Sequence, residues 1–446
     1  MSGPALSYRY AYPFASEIAP TPQAPQLRLA TFTDEDTTPY FFEGELLRPH
    51  LIARLLQDLS RLVRTRFFMP IDPFFLDPVV TSHGDFLRFE VFTGCCSAYA
   101  RLDLPPESLS GTTLGCGTTN VDFNPQMLAA LGKVRPNDNL ALQVGADEVA
   151  ISGSGGRVVE KKVQLPLRWL KGLIAVTAYS KVLECVHEID GIAAAKFLRS
   201  LPRSVDNRSR YWIVRSGKTL RLSMREAPNA VACGAVNRLR VLEDCIAAAK
   251  KLRIYGHADV DASGWEIDFG DARFSMVMTH DVWRGFSGEG QGLLELTQKP
   301  AEKILQNTTA ALQWQSILAP EAIADKHLKV SEIERGLSYL STLGKVGFDM
   351  RAGQYYHRQL PFDVDFVSAL QPRLKNAKKL VDTGCVQHTK PQTFDVKTTD
   401  AVHIVRLLDE SYKCTCTWYA KHQDRRGPCK HVLAAQIWLD QQPTKN

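Results

Sequence analysis

The feature that most constrains this chain is a pair of short motifs near its C-terminus, Cys414-Thr-Cys416 and Cys429-Lys-His431. Three thiols and one imidazole are a donor set for a tetrahedral zinc ion, and four protein ligands leave no position for a reactive water. The residues therefore predict one Zn2+ that is structural and not catalytic. If 412–417 is extended, side-chain alternation puts both sulfurs on one side of the strand. Pro428 leads into Cys429, and 431–438 has Val432, Ala435 and Trp438 at helical spacing, which sets Cys429 and His431 at a helix start. His422 is the local competitor for the imidazole position. Of the ten cysteines only these three have ligand spacing; Cys185, Cys233 and Cys245 stand in apolar contexts expected of small, reduced, buried side chains.

Charge singles out the same region. The chain carries a net +6, and the whole excess lies in 366–446, where thirteen Lys and Arg face seven Asp and Glu. Lys421, Arg425, Arg426 and Lys430 surround the ligands and are the candidate nucleic-acid contacts, with a second group at Arg373, Lys375, Lys378 and Lys379. Such a segment meets phosphates; the plain alternative is a solvated basic face with no partner. The N-terminus has no basic start followed by an apolar run, and no stretch reaches the length of a membrane span, so the expectation is a cytoplasmic protein without a membrane partner.

At 446 residues the chain is too long for one core, and its 44% hydrophobic and 23% charged fractions are those of globular domains. The expected architecture is α+β and multidomain. Residues 1–27, rich in Pro, Ala and Tyr, read as a disordered arm. The segments 28–160 and 161–299 read as two α+β domains: a helix at 43–63, a hairpin at 85–104 turning at Gly94, a helix at 124–134 capped by Asn124, and strands at 140–144 and 148–152 in the first; a hairpin at 211–215 and 219–224, a helix at 242–252, and strands at 258–268 and 273–278 in the second. The apolar run 173–179 has the size of a core strand. Two copies of a helix-plus-meander unit resemble, in element order, the repeating unit of DNA sliding clamps. From 300 to 365 the pattern is three helices (301–318, 320–325 and 331–343, the last capped by Ser331) and a hairpin (346–350 with 354–359), a winged-helix order. Glu332 and Glu334 on the third helix favour a structural or protein-docking use of that unit over phosphate contact.

The C-x-C, spacer, C-x-H pattern, with Val-Leu-Ala after its histidine and strands at 393–396 and 402–408 before it, resembles the SWIM zinc finger over about 386–441. Residues Trp283-Arg-Gly-Phe-Ser-Gly-Glu-Gly290 and 300–365 are similar to bacterial proteins that carry this finger at the C-terminus. That likeness implies a MoxR-type ATPase and von Willebrand A domain system as a partner. Arg284 with Gly285, Gly288 and Gly290 fits a Gly-rich turn better than an anion loop. Ser216-Gly-Lys-Thr219 lacks the first glycine of a phosphate loop, and Gly153-Ser-Gly-Gly156 precedes a charged strand. His187, His257, His280 and His357 stand alone as structural histidines. With no nucleophile elbow, His-Glu-x-x-His or acidic triad, the expectation is no enzyme but a zinc-binding adaptor that recognises nucleic acid or protein. The rival is an accessory subunit or enzyme of DNA transactions, nuclease- or transposase-like.

Overall fold

The computed structural model describes residues 17–19, 26–28, 42–65, 78–113, 115–120, 123, 125–144, 150–151, 167–206, 209–286, 290, 292–325, 328–360, 371–408 and 411–442. Runs of alternating side chains build an antiparallel sheet of eight strands. Their order is Glu184–Asp190, Lys251–Gly256, Ala262–Asp268, Arg273–Thr279, Ala98–Leu104, Leu87–Phe92, Val79–Ser82 and Gly117–Asn120. The ladder of Arg273–Thr279 with Ala98–Leu104 sets Phe274 opposite Leu102. One sheet thus takes strands from both 28–160 and 161–299.

Period-two alternation divides that sheet into two unlike faces. Phe89, Val91, Ala100, Leu102, Phe274 and Met276 are all buried, and the helix Pro49–Val63 packs on Leu87–Phe92 and Ala98–Leu104. Trp265 stacks on Phe197 of the helix Gly191–Ser200, with ring planes 4° apart. The other face is charged and equally buried. Arg88 stands opposite Asp103, and Glu90 opposite Arg101.

A hairpin, Val346–Asp349 with Gln354–His357, closes over the charged face. Asp349 accepts from Arg273 at 3.1 Å and Arg88 at 3.4 Å and pairs with Arg101 at 3.1 Å. Asp103 holds Arg88 at 3.2 Å and Arg101 at 2.8 Å. Glu90 receives the hydroxyls of Tyr99 at 2.7 Å and Tyr356 at 2.9 Å and the Arg358 guanidinium at 2.7 Å. Arg88, Glu90, Arg101, Asp103, Asp349 and Arg358 are each no more than 3% exposed. Burial alone would raise the Asp349 carboxyl, but Arg101, Arg273 and Arg88 outweigh it and hold the group well below the usual carboxylate range.

The order ahead of this hairpin is Glu302–Leu312, Pro320–Ile323 and Val330–Thr342, three helices where three are expected, but the first ends six residues short of the expected 318, where Gln313 and Trp314 take positive φ. Two further details differ. The third helix is capped at Lys329, whose N–H donates to Glu332 Oε2 at 2.9 Å, and not at Ser331. Its second half, from Gly336 to Thr342, is buried, and the hairpin lies on the sheet where Arg101 donates to Phe348 O at 3.2 Å. Neither surface projects.

Smaller sheets complete the body: Leu109–Thr113, Phe42–Leu46 and Ala141–Val144 in one, and Thr219–Ser223, Tyr211–Ser216 and Val231–Cys233 in another. Within the arm region, Glu17–Ala19 and Gln26–Arg28 pair antiparallel and meet Ala150–Ile151. The expected helix over 43–63 begins only at Pro49, because 42–46 pairs between two strands and the proline fixes the helical entry. The run 173–179 lies inside the helix Leu167–Val182, apolar nearly all round because it is enclosed. Residues 242–252 are not one helix; they hold the end of the 3-10 turn Val236–Leu242, the turn Ile246–Ala248 and the start of the strand Lys251–Gly256. Cys233 and Cys245 are buried as expected, but Cys185 is exposed on the edge strand of the sheet. The cap Asn124 and the segment 153–156 lie outside the described residues.

Breaking one partner of a buried charge cluster strands the others. The Asp349→Asn variant should lose about 3–5 kcal/mol of unfolding free energy, read from denaturant titration, and a loss under about 1 kcal/mol would contradict this account of the interface. The carboxyl is depressed in the folded state, so its stabilisation is complete above about pH 4 and is lost as pH falls through the folded value. The variant should therefore show a shallower acid destabilisation than the parent.

Candidate metal centre

The tail is a four-stranded antiparallel meander, Val386–Lys390, Thr393–Lys397, Val402–Leu408 and Ser411–Cys414. Phe394, Val396, Val405 and Tyr412 are buried on its inner side, under the helix Lys430–Asp440. The Tyr412 hydroxyl bonds Gln436 of that helix. A second helix, Pro372–Asp382, packs beside it through Leu374 and Ala377.

This frame brings the four predicted ligands together. Cys414 ends the last strand, Thr415 points outward, and Cys416 is the cap of the helix Thr417–His422. The expected extended run over 412–417 therefore stops at Cys414, yet both sulfurs still face inward, because the helix begins one residue after Cys416. Cys416 Sγ accepts the Tyr419 N–H at 3.4 Å, and Cys429 Sγ, capping the helix Lys430–Asp440, accepts the Val432 N–H at 3.5 Å. N–H donors aimed at sulfur favour the thiolate that a metal needs.

The donor atoms of Cys414, Cys416, Cys429 and His431 all lie within 4.8 Å of one another and the four residues are buried. His431 turns Nδ1 toward the sulfurs, at 3.8 Å from Cys414 Sγ and 3.9 Å from Cys429 Sγ. Tetrahedral zinc with ordinary bond lengths separates sulfur and nitrogen ligands by about 3.6 Å, so the cluster fits the ion with small adjustments. Hydrogen bonds from Cys414 and Cys429 push the Cys416 thiol down, and the bond to Cys416 pushes Cys414 up. A dication bound here displaces the thiol protons. The site holds one structural Zn2+, with no position left for water. His422 packs against Trp418, ring centroids 4.5 Å apart and planes tilted by 56°, and is not among the clustered donors.

The loop between the ligand pairs is held by an arginine from outside it. Arg373 donates to the carbonyls of Arg426 and Pro428, each at 3.0 Å, and its guanidinium lies 4.6 Å over the Trp418 ring. Gly290 of the body leaves room for that guanidinium, where a Cβ would collide with it. Gly285 similarly sits against the backbone of Cys95 and Cys96, so both glycines serve close packing, as the Gly-rich turn reading expects; Gly288 lies outside the described residues. Tyr179 OH reaches Arg425 O at 3.4 Å and ties the loop to the helix Leu167–Val182.

The four candidate phosphate contacts have different fates. Lys421 and Arg425 are exposed, and Lys430 is half-buried in the first turn of its helix. Arg426 is only 6% exposed, with its guanidinium 5.3 Å from the Trp418 ring, and so is not a surface contact. Sequence reading passed over Lys397, Arg406 and Lys413 on the outer side of the tail sheet. All three are exposed and make no side-chain hydrogen bond or ion pair among the described residues. Arg406 stands directly opposite Lys413. Alternation with the buried Val405, Tyr412 and Cys414 would have found them. Elsewhere His280 donates to Ala232 O at 2.8 Å, His257 accepts the Asp259 N–H at 3.2 Å, and His357 accepts the Trp314 N–H at 3.0 Å while burial takes its pKa down to about 4. These are structural roles. Ser216 to Thr219 is the tight turn of a hairpin, with Gly217 at φ 61°.

A SWIM zinc finger family model matches residues 403–435, which contain all four ligands. No curated protein matches the chain. Among solved structures it is similar to a Proliferating Cellular Nuclear Antigen from Entamoeba histolytica, at 9% identity and a TM-score of 0.36, over 54% of this chain and 98% of that one. A likeness of that size carries no argument about fold or function. No helix of the described residues is long and apolar enough to cross a membrane. Elemental analysis should find about one zinc per chain, absent from Cys429→Ser and His431→Ala variants. Loading should weaken as pH falls, because protons compete for the thiolates. A tail that keeps its near-ultraviolet dichroism after chelation would contradict a structural role for the metal.

Proposed function

We propose that the protein is a non-catalytic adaptor whose zinc-ordered tail binds nucleic acid through phosphate contacts. The observation that carries this reading is the outer surface of the tail. Lys397, Arg406, Lys413 and Lys421 are exposed with no ion-pair partner among the described residues. Like charges directly opposite on neighbouring strands are destabilising, so the Arg406 and Lys413 pair is a cost that an anionic partner would offset. The coordination shell is closed, which supports a role for the metal in shaping this surface and none in a reaction.

A second reading, docking to protein such as a MoxR-type ATPase and von Willebrand A domain system, draws support from the middle of the chain. The hairpin and the third helix of the 300–360 region are largely buried, so that unit offers no groove-reading helix or wing. Binding of the full-length protein to a labelled oligonucleotide, followed against salt, separates the two. Phosphate recognition predicts a linear fall of log affinity with log salt, and a slope reduced by about two in Arg406→Glu/Lys413→Glu. Association that ignores both salt and the substitutions would remove the nucleic-acid reading.

A further inference from the structure

The carbonyl end of the helix Pro49–Val63, the segment after the helix Gly191–Ser200 and the 3-10 turn Val236–Leu242 meet at a groove of about 680 Å³. Five arginines line it, Arg61, Arg64, Arg203, Arg238 and Arg240, against one carboxylate, Glu243. They come from three separated stretches of sequence, so the fold gathers them and no local basic run does.

Some of these cations have local duties. Arg61 bonds Asp58 at 2.8 Å and Asp244 at 3.5 Å. Arg240 bonds Glu243 at 2.6 Å and the carbonyl of Leu201 at 2.6 Å. Arg238 is the buried floor, 4% exposed, and donates to Ser97 Oγ at 2.6 Å and Cys95 Sγ at 2.9 Å. Arg64 and Arg203 are exposed and make no side-chain hydrogen bond or ion pair among the described residues.

The charges do not balance. The helix end supplies about half a negative charge, and Glu243 and Asp244 one each. Asp58 supplies less than one near neutral pH, because burial pushes its carboxyl up to about 7. Among the described residues about one and a half to two positive charges remain uncompensated over the groove. The field acts on a neighbour as well: burial would raise the Cys95 thiol, yet Arg238 brings it down to about 7.

We propose that this groove is a phosphate-binding site, in which Arg64 and Arg203 clamp phosphoryl oxygens over the Arg238 floor. A planar guanidinium fork matches phosphate bidentately, and a ligand carrying about two negative charges neutralises the excess. The phosphates come from a nucleic-acid backbone or from a free nucleotide. The site lies in the body and does not depend on the tail being the nucleic-acid surface.

The test uses full-length, zinc-loaded protein and the Arg64→Glu/Arg203→Glu variant, with Arg64→Ala/Arg203→Ala as a milder second form. Two probes are titrated at low salt, a labelled single-stranded oligonucleotide by anisotropy and ATP by calorimetry. The expected result is a loss of about tenfold or more in affinity for at least one probe, at unchanged circular dichroism and zinc content. Loss of the oligonucleotide alone assigns a backbone site, and loss of ATP assigns a nucleotide site. Wild-type affinity of the variants for both probes, or no binding of either probe by the parent protein, overturns the proposal. The Arg406→Glu/Lys413→Glu variant is measured in parallel: if it binds normally while the groove variant does not, the tail reading fails and the groove stands.

Discussion

Asp349 sits where three guanidinium groups converge, and much of the body depends on that convergence. An eight-stranded sheet whose second face carries Arg88, Arg101 and Arg273 cannot be buried under an apolar layer, because unpaired charge in a dry interior is far too costly. The hairpin supplies the missing carboxylate, and Tyr356 and Arg358 from its second strand complete Glu90. The pairing also fixes register: a slip of one residue would turn Arg88 and Glu90 to the apolar side and Phe89 to the charged one. The region that supplies the hairpin is bound to the rest by more than this layer. Lys181 of the enclosed helix bonds Ser338 at 2.7 Å, and His83 bonds the carbonyl of Trp314 at 3.0 Å.

The tail meets the same difficulty of buried polar groups with a different solution. Its inner layer is thin, a four-stranded meander under one helix, and its loop 417–428 adds to it partly buried side chains, among them Tyr419 and Trp418, whose ring meets Arg373 and Arg426. A metal joining strand end, loop and helix start supplies the missing cross-link, at an apparent binding energy of about 10–16 kcal/mol in comparable small fingers. Arg373 then connects the metal loop to the body at Gly290. Two distinct basic surfaces result, one on the tail sheet and one in the arginine groove.

What could be read from the sequence follows from how local each determinant is. The ligands were legible because both pairs lie within three residues and the chemistry of zinc is narrow. The strand hairpins at 87–104 and 211–223 were legible from alternation and turn residues. The strand Phe42–Leu46 was hidden because Leu46 at its end continues the helical spacing of 49–63, and only pairing with 109–113 and 141–144 separates the two elements. The burial of Arg426 depends on Trp418 folding back across the loop, which no spacing encodes. The charged face of the large sheet was in principle visible, since Arg88 and Glu90, and Arg101 and Asp103, alternate with apolar neighbours. That signal says only that a polar face exists; which partner neutralises it lies some 250 residues away at Asp349.

Three sulfurs and one imidazole close the metal shell at the centre of the tail and leave it no position for water. X-ray absorption at the zinc edge of the full-length protein tests this most directly. It should resolve three sulfur scatterers near about 2.3 Å and one nitrogen near about 2.0–2.1 Å. An oxygen from water in the shell, or fewer than three sulfurs, would contradict it.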